Sequence, residues 1–489
     1  VTPARTAAVF AGLLAATLHP AFATDWPTFG FDRARSGFNS DERTLTVGNV
    51  HRLHKRWRVS LGGVADSTPI LLEHVRVGRA EMPMLFQTRM DGVTLGLEAA
   101  TGKIVWRFAT HGSTITDSTP AADPSGTSIF VPGIDGMVHK LSAATGREEH
   151  APGFPVRITL LPLTEKDASP LNVANGYLYA ITSGYNGDAP PYDGHVVAVE
   201  LSTGKTTVFN SLCSKYRKLV RAHTCPQQRS GIWGRGGVVV DPDLSMDGRI
   251  YAATGNGEFD AAHGGDNYGD TLLSLSADLS NLLGSYTPTN YKQLQDGDTD
   301  LGSSSPGILP DQATSQTPYM IVEGGKDAIL KLLNRAALPG VGGELQLVDL
   351  PGGLFSAPAV WTDASNDAWV FLGFSNEVTA YRLKTNKSGL SELAGIWQAS
   401  AGSSDGEGSS PVVAGGIVFV AFDGAIVALN ARSGSELWSS ANHSAGGTIG
   451  GIHWQSPIVV NGSVYCSDES SKLTAYSLSN DRLRILRRG

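Results

Sequence analysis

The chain has 489 residues, enough for several domains or one large repeat array. Only 17% of them are charged and the net charge is −8, which excludes the basic footprint that a nucleic-acid partner needs. With 58 glycines and 25 prolines, turns are abundant and long amphipathic helices are not expected.

Residues 1–23 read as a secretory signal: Arg5 gives a positive start, Thr6–Leu18 is apolar, and Ala21-Phe22-Ala23 is a small-x-small cleavage site. A buried first helix is the other reading of this stretch. No later apolar run reaches the roughly 18 residues of a membrane span. The expectation is an exported, periplasmic or secreted protein with no transmembrane segment, its mature part a single domain over 24–489.

A repeat then dominates the chain. One half is a Ser/Thr/Ala-Pro step before a strand: Asp66–Pro69, Asp117–Pro120, Asp167–Pro170, Ser303–Pro306, Phe355–Pro358, Gly408–Pro411 and Trp454–Pro457. Proline to proline, the spacings are 51, 50, 136, 52, 53 and 46 residues. The long gap holds two units, one starting near Arg235-Gly236-Gly237, which makes about eight. The other half is a strand, a DG turn, a strand, a TG turn and often a tryptophan, as in Met90–Trp106, Ile134–Gly146, Tyr192–Lys205 and Phe422–Trp438. Alternating apolar residues predict half-buried strands, and Trp106 and Trp438 are expected to wedge between neighbouring sheets. One such unit cannot bury both of its faces, whereas a closed ring can. The fold class is therefore all-β, an eight-bladed propeller of four-stranded antiparallel blades. The last repeat, Trp454–Leu478, lacks a Trp ending, and the run around Trp57 supplies the missing strand, so strands from both termini close the ring.

Among three cysteines, Cys213 and Cys225 share a loop-like segment that an oxidising compartment would let pair, and Cys466 reads as a buried strand residue. The absence of CxxCH excludes covalent c-type haem, and no structural zinc spacing occurs. The unusual residues gather in Ser230–Pro310, where short apolar runs alternate with loops rich in Gly, Asp and Asn. In one of them, Asp266–Asp270 could hold a structural calcium ion.

The repeat number, the TG-x-x-x-Trp endings and the segment Asp25–Asn39 resemble the eight-bladed propellers of quinoprotein alcohol dehydrogenases, over essentially the whole mature chain. That resemblance implies pyrroloquinoline quinone (PQQ) over a tryptophan and a Ca²⁺ held by Glu, Asn and Asp. Ala253–Gly257 is similar to the segment carrying the calcium-ligand Asn, which would be Asn256. Asp298–Gly302 is similar to the segment carrying the catalytic Asp, with Asp300 the first candidate for base and metal ligand and Asp298 the second. Gly324–Arg335 resembles the family's Lys-bearing turn, so Lys326 would reach the quinone oxygens, and Trp233 is similar in place to the tryptophan beneath the ring. The sequence departs from the family in having no adjacent cysteine pair and no Glu in Ser183–Gly194, where Asp188 is the nearby substitute.

A quinone oxidation needs a Lewis acid at the carbonyl, a base for the alcohol proton and a flat apolar floor. Asn256, Asp300, Lys326 and Trp233 supply candidates for all of these. Each has a plainer reading: a turn residue between glycines, a solvated loop acid, an exposed hairpin lysine and an interblade core residue. Two functions follow. One is an exported oxidoreductase that oxidises an alcohol or sugar hydroxyl by hydride transfer to PQQ and passes electrons to a separate acceptor. The other is a non-catalytic propeller that binds a protein or glycan partner in the cell envelope, and the missing Glu speaks for it.

Overall fold

The computed structural model describes residues 23–478 except 113, 151, 186–188 and 405–406. The signal-like stretch, apart from Ala23, and Asp188 therefore lie outside the described residues. Eight small sheets follow one another around a ring. The first joins Ile70–Val77, Ala80–Thr88, Val93–Glu98 and Ile104–Ala109 as an antiparallel meander. The others repeat this plan.

Three sheets carry a fifth strand. In two of them the added strand runs parallel: Phe38–Asn39 beside Val412–Ala414, and Gly340–Val341 beside Leu282–Thr287. Ring closure is as the sequence predicts. His54–Ser60 pairs antiparallel with Lys472–Ser477 and completes the sheet of Ile458–Val460 and Ser463–Asp468. Trp26 adds a bridge to Leu71, so the N-terminal segment touches the first sheet as well. A closed ring removes exposed strand edges, the usual weak point of a β protein.

Two repeated contacts explain the repeated residues. Trp57, Trp106 and Trp397 each donate their indole N–H to a backbone carbonyl just before the next TG or SG turn, at Ala99, Ala143 and Ala431, over 2.9–3.0 Å. Any Cβ on the turn glycines Gly102, Gly146 or Gly434 would lie within 2.7 Å of those rings, and all three have positive φ. Glycine is thus required both for the turn and for the wedge. The Ser/Thr of the proline step ties adjacent blades together. Ser118 Oγ donates to Ser169 O, Ser304 Oγ to Ser356 O, and Ser410 N–H to Ser456 Oγ. These bonds satisfy polar groups that ring closure buries.

The DG pairs differ from one another. Gly92, Gly136 and Gly424 turn hairpins with positive φ. Gly194 does not, and is needed instead because a Cβ there would lie 1.9 Å from Ser230 O. Cys213 and Cys225 form a disulfide, and Cys466 is a buried free thiol. Among the described residues the one α-helix is Tyr291–Gly297, which the sequence reading did not single out, and its αL cap is Asp298.

Candidate functional site

The segment Arg229–Gly237 crosses the ring between the third and fourth blades. Gly255 N–H donates to Gly231 O at 2.7 Å and Ile232 N–H to Thr182 O at 3.0 Å. A Cβ on Gly231 would strike Ser183 Oγ, and one on Gly234 would strike Ser304 O. This close passage presents the half-buried Trp233 indole to a cavity of about 630 Å³. Its volume falls within the range of small-molecule sites.

The predicted residues meet there. Trp233, Asn256, Asp298, Asp300 and Lys326 all line the cavity. Asn256 follows the strand Ile250–Ala253, Asp300 follows the helix, and Lys326 follows the strand Met320–Gly324. Asp300 Oδ1 accepts the Asn256 backbone N–H at 2.9 Å, and Lys326 Nζ lies 2.9 Å from Asp300 Oδ2. The same ammonium is 3.5 Å from Asp298 Oδ2 and 5.1 Å from the centre of the Trp233 ring, a cation–π contact. Asn256 Nδ2 donates to Asp298 Oδ1 at 3.2 Å. Asp300 is buried and Asp298 sits exposed at the rim.

Burial pushes the Asp300 carboxyl up, and the Lys326 charge offsets part of that rise. Burial pulls Lys326 down, but Asp300 and then Asp298 outweigh it and hold the ammonium above its usual range. Beneath them, Asp270 Oδ1 accepts the Leu301 N–H at 3.0 Å while Oδ2 has no partner among the described residues. Burial, aided by the Asp300 and Asp327 charges, pushes Asp270 up to about 8.

The opposite wall holds residues that the sequence reading missed: Asp66, Asp117, Lys166, Glu407, His453 and Trp454. Lys166 pairs with Asp117. Trp454 lies 6.0 Å from Trp233 between ring centres, and the buried Arg235 guanidinium stacks on Trp454 at 3.9 Å. A signal for them existed. Asp66, Asp117 and Trp454 occupy the same register, three residues before the proline of a repeat step, and so does Phe355, which packs 6.2 Å from Trp233.

Residues 46–278 and 359–484 match the family described as outer membrane protein assembly factor BamB, more than half of the chain. The chain belongs to this PQQ-type repeat family. No curated protein sequence matches it. Solved structures similar to it include a quinohemoprotein alcohol dehydrogenase from Pseudomonas putida HK5, at 14% identity and TM-score 0.63, covering 93% of this chain and 80% of that one. A europium-containing methanol dehydrogenase superposes with TM-score 0.64 at 14% identity, covering 93% and 98%. BamB from Moraxella catarrhalis gives 0.51 at 12% identity, covering 87% and 99%. At such identities the likeness establishes the eight-bladed fold alone. Enzymes and an assembly factor both use it.

Proposed function

We propose that this protein is an exported quinoprotein-like oxidoreductase, its mature single domain beginning near Thr24, that oxidises an alcohol or sugar hydroxyl and passes electrons to a separate acceptor. The observation that carries this reading is the convergence of Trp233, Asn256, Asp300 and Lys326, from separate segments, in one cavity of about 630 Å³.

The residues present fit the quinone. Trp233 offers a flat face, Lys326 lies over it, and the exposed Arg229 shares the cavity with them, suited to a carboxylate of the quinone, while Lys166 is already paired with Asp117. Trp454 Nε1 is buried with no partner among the described residues, a donor left for a ligand. When bound, PQQ supplies the two-electron oxidant for a C–H hydride. Trp233 would lie beneath the ring and Lys326 would hold its oxygens, while Asp300, held by the Asn256 N–H and the Lys326 ammonium, would orient the reacting hydroxyl.

The donor set does not fit calcium. Asn256, Asp298 and Asp300 are its oxygen donors, and Lys326 already contacts both carboxylates. The strand Tyr177–Gly184 ends in Ser183-Gly184 without the Glu that the family's ligand set implies. Calcium takes roughly six to eight oxygens, more than these three side chains offer.

A titration of the apoprotein with PQQ, with and without Ca²⁺, followed by absorbance and thermal midpoint, tests the reading. Saturable binding lost in Lys326→Ala and Trp233→Ala supports it, and turnover unchanged in Asp300→Asn removes Asp300 from the machinery. The second reading, a scaffold for a protein or glycan, is favoured by the missing Glu and the BamB family match. Absence of PQQ binding into the high micromolar range would leave that reading standing.

A further inference from the structure

The cavity wall facing Trp233 carries a second, independent arrangement of polar groups. His453 Nδ1 lies 2.9 Å from Asp66 Oδ2. Asp66 is 2% exposed at its side chain and His453 is 45% exposed. The other Asp66 oxygen accepts the Gln455 amide at 2.9 Å and the Trp454 backbone N–H at 3.2 Å. The carboxylate is therefore clamped from several sides and can turn only the imidazole's Nδ1–H toward itself. His453 Nε2 has no hydrogen-bond partner among the described residues, and the ring lines the cavity beside Trp454, whose centre is 5.8 Å away.

A buried carboxylate that fixes one ring nitrogen and leaves the other open is how proteins prepare a histidine to take a proton. Asp300 is placed differently: it accepts the Asn256 N–H at one oxygen and pairs with the Lys326 ammonium at the other, and that positive charge lowers its affinity for a proton.

We propose that His453 is the general base of this site, with Asp66 as the positioning residue that sets its tautomer and holds the imidazolium it becomes. The assignment rests on the oxidoreductase reading. The O–H bond of the substrate breaks and its proton passes to Nε2. The C–H bond breaks with its electron pair, which leaves as hydride to the quinone oxidant named above, and a C=O bond forms. The substrate is oxidised and the quinone reduced.

The charges facing His453 fit this role. Burial lowers the imidazole's proton affinity, the Asp66 carboxylate more than restores it, Arg235 opposes and Glu407 adds, so the net direction is upward. Glu469, held by the Gln455 amide, also faces the pair. A metal ion at Asp66, His453 and Glu469 is disfavoured, because the buried Arg235 guanidinium acts on the same carboxylate.

The test uses the full mature chain and the variants His453→Gln and Asp66→Asn, with PQQ binding measured apart from turnover. PQQ affinity should stay within about threefold of wild type in both. In His453→Gln, kcat/KM should fall by about 100-fold or more, the usual contribution of a positioned base. Wild-type kcat/KM should rise with pH through an apparent pKa above the ordinary histidine value of roughly 6.5. That acid limb should vanish in His453→Gln and move to lower pH in Asp66→Asn, a change that a merely structural role would not produce. A His453→Gln enzyme that binds PQQ and keeps the wild-type rate and acid limb overturns the proposal. If wild-type protein takes no quinone, the oxidoreductase reading falls instead, and the dyad is judged by acylation of Nε2 with diethyl pyrocarbonate. A pH midpoint for that acylation unmoved by Asp66→Asn overturns the pairing. A midpoint moved downward supports His453 as a base prepared by Asp66.

Discussion

Asp270 gives the sharpest test of the electrostatics beneath the site. The residue is 1% exposed and one oxygen has no partner among the described residues, and burial, aided by the Asp300 and Asp327 charges, pushes its carboxyl up to about 8. In the unfolded chain the same group has a pKa near 3.9. Below about pH 4 it is neutral in both states and costs nothing. As pH rises from about 4 to 8 the unfolded chain ionises and the folded one does not, so stability falls by roughly 1.4 kcal/mol per unit. At pH 7 the loss approaches about 4 kcal/mol, less whatever the cavity relaxes. Asp270→Asn removes that titration. The amide keeps an oxygen for the Leu301 N–H, and asparagine tolerates the positive φ of 46° there. The variant should match wild type near pH 4 and exceed it by roughly 2–4 kcal/mol near pH 7 to 8. Urea unfolding of both proteins across that range reads the difference directly. A difference that stays flat with pH would refute the argument that a buried, neutral carboxyl lies under Asp300.

Lys326→Met should cost about 3 kcal/mol at neutral pH, because Asp300 is left buried with only the Asn256 N–H. Adding Asp300→Asn to it should recover most of the loss, and a double variant no better than the single would contradict the pairing. Gly255→Ala should weaken PQQ binding with little change in the ring, since its Cβ would sit 3.1 Å from Trp233 Nε1 and 3.3 Å from Asp300 Cγ; an unchanged titration would show that this approach is not needed. Replacing Cys213 and Cys225 by serine opens a loop closed over a separation of 12 residues and should lower stability by about 3 kcal/mol, read from the urea midpoint. The Cys466 thiol, buried and pushed upward by that burial, should react with a thiol reagent only after denaturation.

The blade plan was legible because its signals are local and repeated. A TG turn, a tryptophan and a Ser/Thr-Pro step recur, and each recurs because a contact with the next blade demands it. The added parallel strands Phe38–Asn39 and Gly340–Val341 were not legible, being two-residue stretches without alternation that pair only through tertiary placement. The helix Tyr291–Gly297 was missed because its short stretch, YKQLQDG, buries one residue, Leu294, and offers no apolar stripe to read.

The candidate site was half legible, and the division follows from geometry. Asn256, Asp300 and Lys326 were found through the likeness of their segments to those of the quinoprotein dehydrogenases, and composition alone marks only the stretch Ser230–Pro310 that holds the first two. Asp66, Asp117 and Trp454 were hidden inside that pattern, as its least constant position. A propeller brings the same register of every blade to the axis, so a variable residue within a fixed repeat motif is where the blades can differ chemically without disturbing their pairing. The serines that follow are tied to neighbouring blades. The residue before them faces the cavity in the blades where it is Asp66, Asp117 and Trp454, and it is there that one end of the ring gains a carboxylate to orient His453, another to hold Lys166, and an indole to face Trp233.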